Sequence, residues 1–244
     1  MKRTFLVFLL LLTCQIKLFS QDKADSPQPT SAPSGKFQIG LSFSPNVSYR
    51  WLRLKGGNSS NESNMETMDK YETPVFGFTT GVNGIYSFNQ KSGIQFGINV
   101  SKSGYQSKWH DEFWIIWGDQ FKVHTKSRSE YYYLEVPISY QHFINQGKFR
   151  LLMRGGIITH LFLKGTYHLS NFYSPEIYES SNPIMNSRPY LSGLFSAGLD
   201  WQLHPRINFR VEPIVRFGLT SINDYAIRTH LWSAGLDCSV FYRF

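Results

Sequence analysis

From Phe37 to the C-terminus, apolar and polar residues alternate with period two, the spacing at which successive side chains of a strand face opposite sides of a sheet. Eight segments carry the pattern. The first, Phe37 to about Leu52, is interrupted by Pro45, which an edge or bulge position would accommodate. The second sets Phe76, Phe78, Val82, Tyr86 and Phe88 against Gly77, Thr79, Gly81, Asn83 and Ser87. In the third, Ile94, Phe96, Ile98 and Val100 oppose Gln95, Gly97, Asn99 and Ser101. The fourth places Tyr132, Leu134, Val136, Ile138 and Tyr140 opposite Glu135, Ser139 and Gln141, and the fifth places Phe149, Leu151, Met153 and Ile157 opposite Arg150, Arg154 and Gly156. In the sixth, Leu191, Phe195, Leu199 and Trp201 oppose Ser192, Ser196, Asp200 and Gln202. The seventh has Ile207, Phe209, Val211, Val215 and Phe217 against Asn208, Arg210, Glu212 and Arg216. The eighth has Trp232, Leu236, Val240, Tyr242 and Phe244 against Asp237, Ser239 and Arg243.

Alternation alone also suits a soluble sandwich or a lipocalin-like barrel, in which the apolar face points inward. Three features favour the opposite sense. The polar face gathers arginines and four acids (Glu135, Asp200, Glu212, Asp237) in line with Gly and Ser, more charge than one exposed sheet face usually carries. Connections alternate in length: Asn89 to Ser92, Asn145 to Lys148 and His204 to Arg206 are short, whereas about 53–74, 108–129 and 165–189 are long. Outer-membrane barrels show this asymmetry, with tight periplasmic turns and long outside loops. The chain also ends in Phe244 on an apolar, aromatic stripe. The predicted fold is therefore all-β: an eight-stranded antiparallel transmembrane β-barrel with short periplasmic turns, long extracellular loops and both termini periplasmic.

That assignment fills the interior with a polar network of Glu135, Arg150, Arg154, Asp200, Arg210, Glu212, Arg216, Asp237 and Arg243. Pairing Leu203 with Ile207 across the His204 to Arg206 turn sets Asp200 opposite Arg210 and Gln202 opposite Asn208. Arg150, Arg154, Arg216 and Arg243 would then meet Glu135, Glu212 and Asp237 across the lumen. Aromatics fall near the strand ends: Phe88, Tyr140, Phe149, Trp201, Phe209 and Tyr242 suit a periplasmic girdle, and Phe76, Tyr132, Tyr190 and Trp232 an outer one.

The N-terminus adds an export signal. Lys2 and Arg3 precede the apolar run Phe5 to Leu12, which is too short to span a bilayer as a helix. Cleavage after Ser20 gives a signal peptide at 1–20, a Pro-, Ser- and Gln-rich linker at 21–36 and a barrel domain at 37–244. A lipoprotein signal acylated at Cys14 is the rival reading, with Thr13 a poor residue before such a cysteine. Removing 1–20 takes away Lys2, Arg3 and Lys17 and no acid, lowering the formal charge from +8 to +5. This charge is dispersed, and the export signal argues against a nucleic-acid partner, whereas the outer-membrane barrel itself makes outer-membrane lipid an expected partner. The mature chain keeps only Cys238, which excludes an internal disulfide.

Chemistry is sparse. His110, His124, His142, His160, His168, His204 and His230 show no paired ligand spacing, and His110-Asp111-Glu112 reads as a solvated loop turn, so no metal or cofactor is expected. Asp224, His230 and Ser233 would have to converge at the rim for hydrolysis, and no nucleophile signature surrounds Ser233. The chain is expected not to be an enzyme. The segment Phe113 to Val123, with Phe113, Trp114, Trp117 and Phe121 around a turn at Gly118-Asp119, suits a hairpin that docks a partner or a self-packed extension of its flanking strands. Tyr242 and Phe244 suit the C-terminal signal read by the outer-membrane assembly machinery.

Several short motifs complete the reading: Phe76-Gly77-Phe78 with Gly81, Ser101-Lys102-Ser103-Gly104, Tyr133-Leu134-Glu135-Val136-Pro137, Arg154-Gly155-Gly156 and Arg216-Phe217-Gly218-Leu219-Thr220. In these the chain resembles the PorT-like outer-membrane β-barrels of Bacteroidota-type bacteria, over most of 37–244. The resemblance implies a part in type IX secretion, which delivers proteins with a C-terminal targeting domain, such as secreted cysteine proteases, to the cell surface. It implies other secretion-system components as partners and transfers no catalytic residue. A structural or adhesive barrel that stabilises the envelope is the alternative, and a rim-site lipid or peptide hydrolase a third.

Overall fold

The computed structural model describes residues 37–55, 59–116, 119–171, 175–180 and 188–244. For 59–61, 64, 67, 112–116, 119–121, 171 and 175–180 it describes the backbone alone. The expected signal peptide and linker lie outside the described residues. Among those residues there are ten strands and one helix: β1 Phe37–Leu54, α1 Ser59–Tyr71, β2 Glu72–Ser87, β3 Ser92–Ser107, β4 His110–Ile116, β5 Asp119–Phe143, β6 Phe149–Asn171, β7 Pro175–Ser180, β8 Tyr190–His204, β9 Ile207–Gly218 and β10 Ile227–Arg243.

Every strand pairing is antiparallel. β1 pairs with both β2 and β10, and β5 pairs with β6, so β1-β2-β3-β5-β6-β8-β9-β10 closes into a ring of eight. Closure leaves no unpaired edge around the ring, which is the condition for a sheet to sit in hydrocarbon. The alternation has the inside-out sense. Leu41, Ile98, Ile138, Phe195 and Val240 are exposed, whereas Ser42, Asn99, Ser139, Ser196 and Ser239 beside them are buried in the lumen. No described helix is long and apolar enough to cross a membrane. The architecture is that of a transmembrane β-barrel, which crosses by its strands.

At one end the strands are joined by short connections. Asn89 Oδ1 accepts the backbone N–H groups of Lys91 and Ser92 in the first. Gly147 takes φ = 126° in the second, a left-handed conformation that glycine adopts without a Cβ penalty. At the other end the strands outgrow the 9–11 residues a tilted strand needs to cross. β5 runs for 25 residues and β6 for 23, and they stay paired as far as Thr125 opposite Asn171. β4 adds to β5 and β7 to β6, so the long connections build a four-stranded platform beyond the barrel. The connection expected at about 53–74 contains α1, with Glu62 in its first turn and Lys70 in its last, the arrangement that complements the helix dipole.

Three details differ from the sequence-based register. Pro45 lies neither at an edge nor at a bulge: β1 is continuous and paired on both sides, and only its ladder to β10 skips Ser44 and Pro45 without a change of register. At the β8–β9 turn His204, not Leu203, lies opposite Ile207, because a bulge between Gln202 and His204 absorbs one residue. Tyr190 is not part of a girdle. It is 3% exposed and packs inside against His160, with ring centroids 4.0 Å apart.

Candidate functional site

The lumen is filled in three layers. Nearest the short turns, Asp200 opposes Arg210 across β8 and β9 and is fully buried with it. Arg210 Nε donates to Asp200 Oδ1 at 3.1 Å, and its Nη1 donates to Gln95 Oε1 and Gln141 Oε1, each at 3.1 Å. Arg150 Nε reaches the other oxygen of Asp200 at 3.0 Å, and Asn208 Nδ2 approaches the same oxygen at 3.4 Å. Phe143 and Phe241 close the layer: the Arg150 guanidinium lies 4.0 Å from the Phe143 ring and that of Arg210 lies 4.8 Å from the Phe241 ring. Charge-assisted bonds of this kind are roughly twice as strong as neutral ones, and the low-dielectric setting makes an unpaired member costly.

The middle layer centres on Arg154. Its Nε lies 3.2 Å from Glu212 Oε2 and its Nη2 3.1 Å from Asp237 Oδ2, while Ser196 Oγ donates to Glu212. Gly156, two residues on, is held by close strand approach: a Cβ there would lie 2.3 Å from the Ile138 carbonyl oxygen. Arg216 donates to Ser44 Oγ at 3.4 Å and borders a cavity of about 20 Å³ that Glu135, Asp237, Asn83 and Asn99 also line. A polar cavity of that size suits a single water molecule, not a channel.

The third layer, toward the long connections, is aromatic. Tyr133 is fully buried and meets Tyr190, Phe162 and His160 edge-on at 5.1, 5.9 and 5.8 Å. Tyr131, Leu231 and Ile222 from the β9–β10 connection pack with it. His160 Nε2 bonds Ser192 Oγ at 2.6 Å, and its Nδ1 lies 3.4 Å from Glu135 Oε1. Beside this cluster, Arg50 Nε donates to Glu72 Oε2 at 2.6 Å with its guanidinium 3.9 Å from the Tyr105 ring.

Of the nine residues expected in the polar network, eight are buried and Arg150, opposite Asp200 in the β6–β8 ladder, is partly exposed. The structure distributes their partners differently. Arg150 binds Asp200, not an acid across the barrel, because β6 and β8 are neighbours and Arg150 pairs directly with Asp200. Arg216 is held by Ser44, and among the described residues Arg243 has no carboxylate within ion-pair reach. Gln95 and Gln141 were legible as inward positions. His160 and Tyr190 were not assigned inside, although extending the parity of β6 past Ile157 and of β8 back from Leu191 puts both there.

Other candidates separate. His230 Nδ1 bonds the Gly218 carbonyl and its ring stacks on Trp51 at 4.2 Å, whereas Asp224 is held by Lys55, Arg188 and Arg228. Ser233 is buried in the lumen opposite Ser48, so each residue of the rim-site hydrolase reading has other company. Asp111 binds Lys122 and His124, and these hydrogen bonds hold its carboxyl below the usual range. No group of three or more potential metal ligands occurs among the described residues. Phe113 and Trp114 pair with Lys122 and Phe121 along the β4–β5 hairpin backbone. Trp117, and the side chains of all four docking candidates, lie outside the described residues. Tyr242 and Phe244 are exposed on the outer face, their rings 5.3 Å apart and Phe244 stacked on Phe37.

With the lumen filled this way, the purified protein in a planar bilayer is expected to show no steady conductance. A stable open channel would show that these side chains do not occupy the lumen.

No protein-family model matches the sequence, and no curated protein matches it. Solved structures do align with it. Neisserial surface protein A aligns at 10% identity over 86% of this chain and 97% of that one, with a TM-score of 0.40. Ail, the attachment invasion locus protein of Yersinia pestis, aligns at 15% identity over 84% and 99%, with a TM-score of 0.33. The outer membrane protease OmpT from Escherichia coli aligns at 8% identity over 90% and 100%, with a TM-score of 0.42. The barrel assignment rests on the closed ring of strands itself.

Proposed function

We infer that this chain is an outer-membrane barrel of the PorT-like group that serves type IX protein secretion as a non-enzymatic accessory or assembly component. Its termini and short turns face the periplasm and its long connections face outward. The inside-out alternation of the closed ring supports the membrane setting, and the secretion role is carried by the motif resemblance, above all Tyr133-Leu134-Glu135-Val136-Pro137 and Arg154-Gly155-Gly156. Both motifs contribute to the lumen packing, through Tyr133, Glu135, Arg154 and the close approach at Gly156. They are therefore marks of how this barrel is built, and the working surfaces are left to the platform of β4 to β7 and the outer face.

Deleting the gene should abolish surface delivery of cargo that bears the C-terminal targeting domain, and a plasmid copy should restore it. Normal delivery in the deletion strain would refute the secretion role. In the same strain, a cysteine replacing Asn61 should be labelled from outside intact cells, and one replacing Gln146 should not. The platform favours a second reading, an adhesive or envelope-stabilising barrel, under which the deletion would change surface binding or detergent sensitivity and leave cargo delivery intact.

A further inference from the structure

Near the long-connection end of β1 and β10, the outward face carries three cross-strand pairs in succession. Tyr49 opposes Trp232, Trp51 opposes His230 and Arg53 opposes Arg228. Residues directly opposite in an antiparallel pair share a face, and this is the face of Leu41 and Val240. The first two pairs are aromatic, with Tyr49 edge-on to Trp232 at 6.3 Å and Trp51 stacked on His230. Aromatics of this kind mark the headgroup level of a bilayer. The third lies about 7 Å further along the strands, two residues at about 3.4 Å each.

Like charges directly opposite one another destabilise a sheet, and here the described surroundings offset them only in part. Among the described residues, Arg228 shares one carboxylate, Asp224, with Lys55 and Arg188, and Arg53 has no carboxylate within ion-pair reach. Asp224 is already shared by Lys55 at 3.1 Å, Arg188 at 3.2 Å and Arg228 at 3.5 Å. The Lys55 hydrogen bond, with the charges of Lys55 and Arg188, holds its carboxyl below the usual range, so it is already ionised and has no further charge to give. The Nε of Arg228 is shielded from solvent without a hydrogen-bond partner among the described residues.

We propose that Arg53 and Arg228 form a clamp for the phosphate of an anionic lipid headgroup in the leaflet at the long-connection end of the barrel. The proposal rests on the membrane setting inferred above. Guanidinium groups bind phosphate oxygens in a bidentate manner, and a phosphate between two opposed arginines supplies the missing counter-charge. The position selects a lipid over a soluble partner, because the pair lies on the lipid-facing side of the strands, just beyond the aromatic row, where headgroup phosphates reside.

The test uses the mature chain in phosphatidylcholine nanodiscs with a small fraction of acyl-labelled, doubly phosphorylated lipid A, read by energy transfer from tryptophan. The wild type should concentrate this lipid around the barrel, and lipid A stripped of its phosphates should not be concentrated. In Arg53→Gln/Arg228→Gln, association should weaken about 30-fold, taking the usual contribution of a basic residue at an anionic membrane surface twice. Arg53→Lys/Arg228→Lys should retain most of it. Equal association of the phosphate-free lipid, undiminished association in the Gln variant, or complete displacement by inorganic phosphate would overturn the clamp. If the Gln variant does not fold, the phosphate-free lipid on the wild type decides. A wild type that inserts without enriching lipid A sinks the clamp alone, whereas one that stays soluble sinks the membrane setting with it.

Discussion

Replacing Asp200 with alanine is expected to cost on the order of 3–5 kcal/mol of stability, the usual effect of removing one partner of a buried ion pair. The size follows from what is left behind. Arg210 is fully buried and its Nε loses its carboxylate; among the described residues its remaining polar partners are Gln95 and Gln141 on Nη1 and a Glu212 oxygen at 3.6 Å. Arg150 also loses its carboxylate, but it is partly exposed near the short-turn end and can turn to solvent. The penalty therefore sits mainly on Arg210. Asp200→Ala combined with Arg210→Met should accordingly be more stable than Asp200→Ala alone. Urea titration scored by the heat-modifiable shift of the folded barrel on gels measures both. A single variant within about 1 kcal/mol of the wild type would mean that the charged layer does not hold the barrel together.

Tyr133→Ala should be of similar size, about 3–5 kcal/mol, by the rule for removing a large buried aromatic. Tyr133 touches Tyr190, Phe162 and His160 at once, and these come from β6 and β8 while Tyr133 comes from β5. Its loss leaves a cavity between three elements of the ring that backbone hydrogen bonding prevents from collapsing. The hydroxyl is a different matter. It is buried without a hydrogen-bond partner among the described residues, so Tyr133→Phe should fall within about 1 kcal/mol of the wild type or above it. The same unfolding titration separates the two variants. Equal losses would assign the importance of the position to the hydroxyl and not to the ring.

The barrel was legible because a membrane barrel writes its two faces into alternate positions. Once Leu199 is outward, Asp200 is inward, and the short turn at 204–206 limits the register closely enough to place Arg210 opposite it. What was lost depends on information that parity does not hold. Which partner Arg150 or Arg216 meets depends on how neighbouring strands are staggered around the ring, and Arg150 found Asp200 through direct β6–β8 pairing, whereas Arg216 found Ser44. The bulge before His204 shifted one turn by a residue, and short-range pattern carries no sign of it. Tyr190 was misplaced for a different reason. Tyrosine suits both a membrane interface and a buried polar contact, so its place near a strand end fits either, and only the parity set by Leu191 puts it inside. Beyond the membrane, the β4–β5 hairpin coincides with the hairpin expected at Phe113 to Val123, whereas β7 and the last residues of β6 fall in the connection expected at about 165–189, where Gly165, Ser170, Asn171 and Pro175 interrupt the alternation that marks the rest.

The central claim, that the apolar face of a closed ring meets lipid and the charged face fills its lumen, is tested most directly by single nitroxide labels along β10. Labels at Ser239, Val240, Phe241 and Tyr242 in reconstituted vesicles would be read for collision with oxygen dissolved in the bilayer. The account predicts high collision rates at Val240 and Tyr242 and low rates at Ser239 and Phe241, since Phe241 is fully buried although it is apolar. Uniform rates, or high rates at Ser239 and Phe241 with low rates at Val240 and Tyr242, would contradict it.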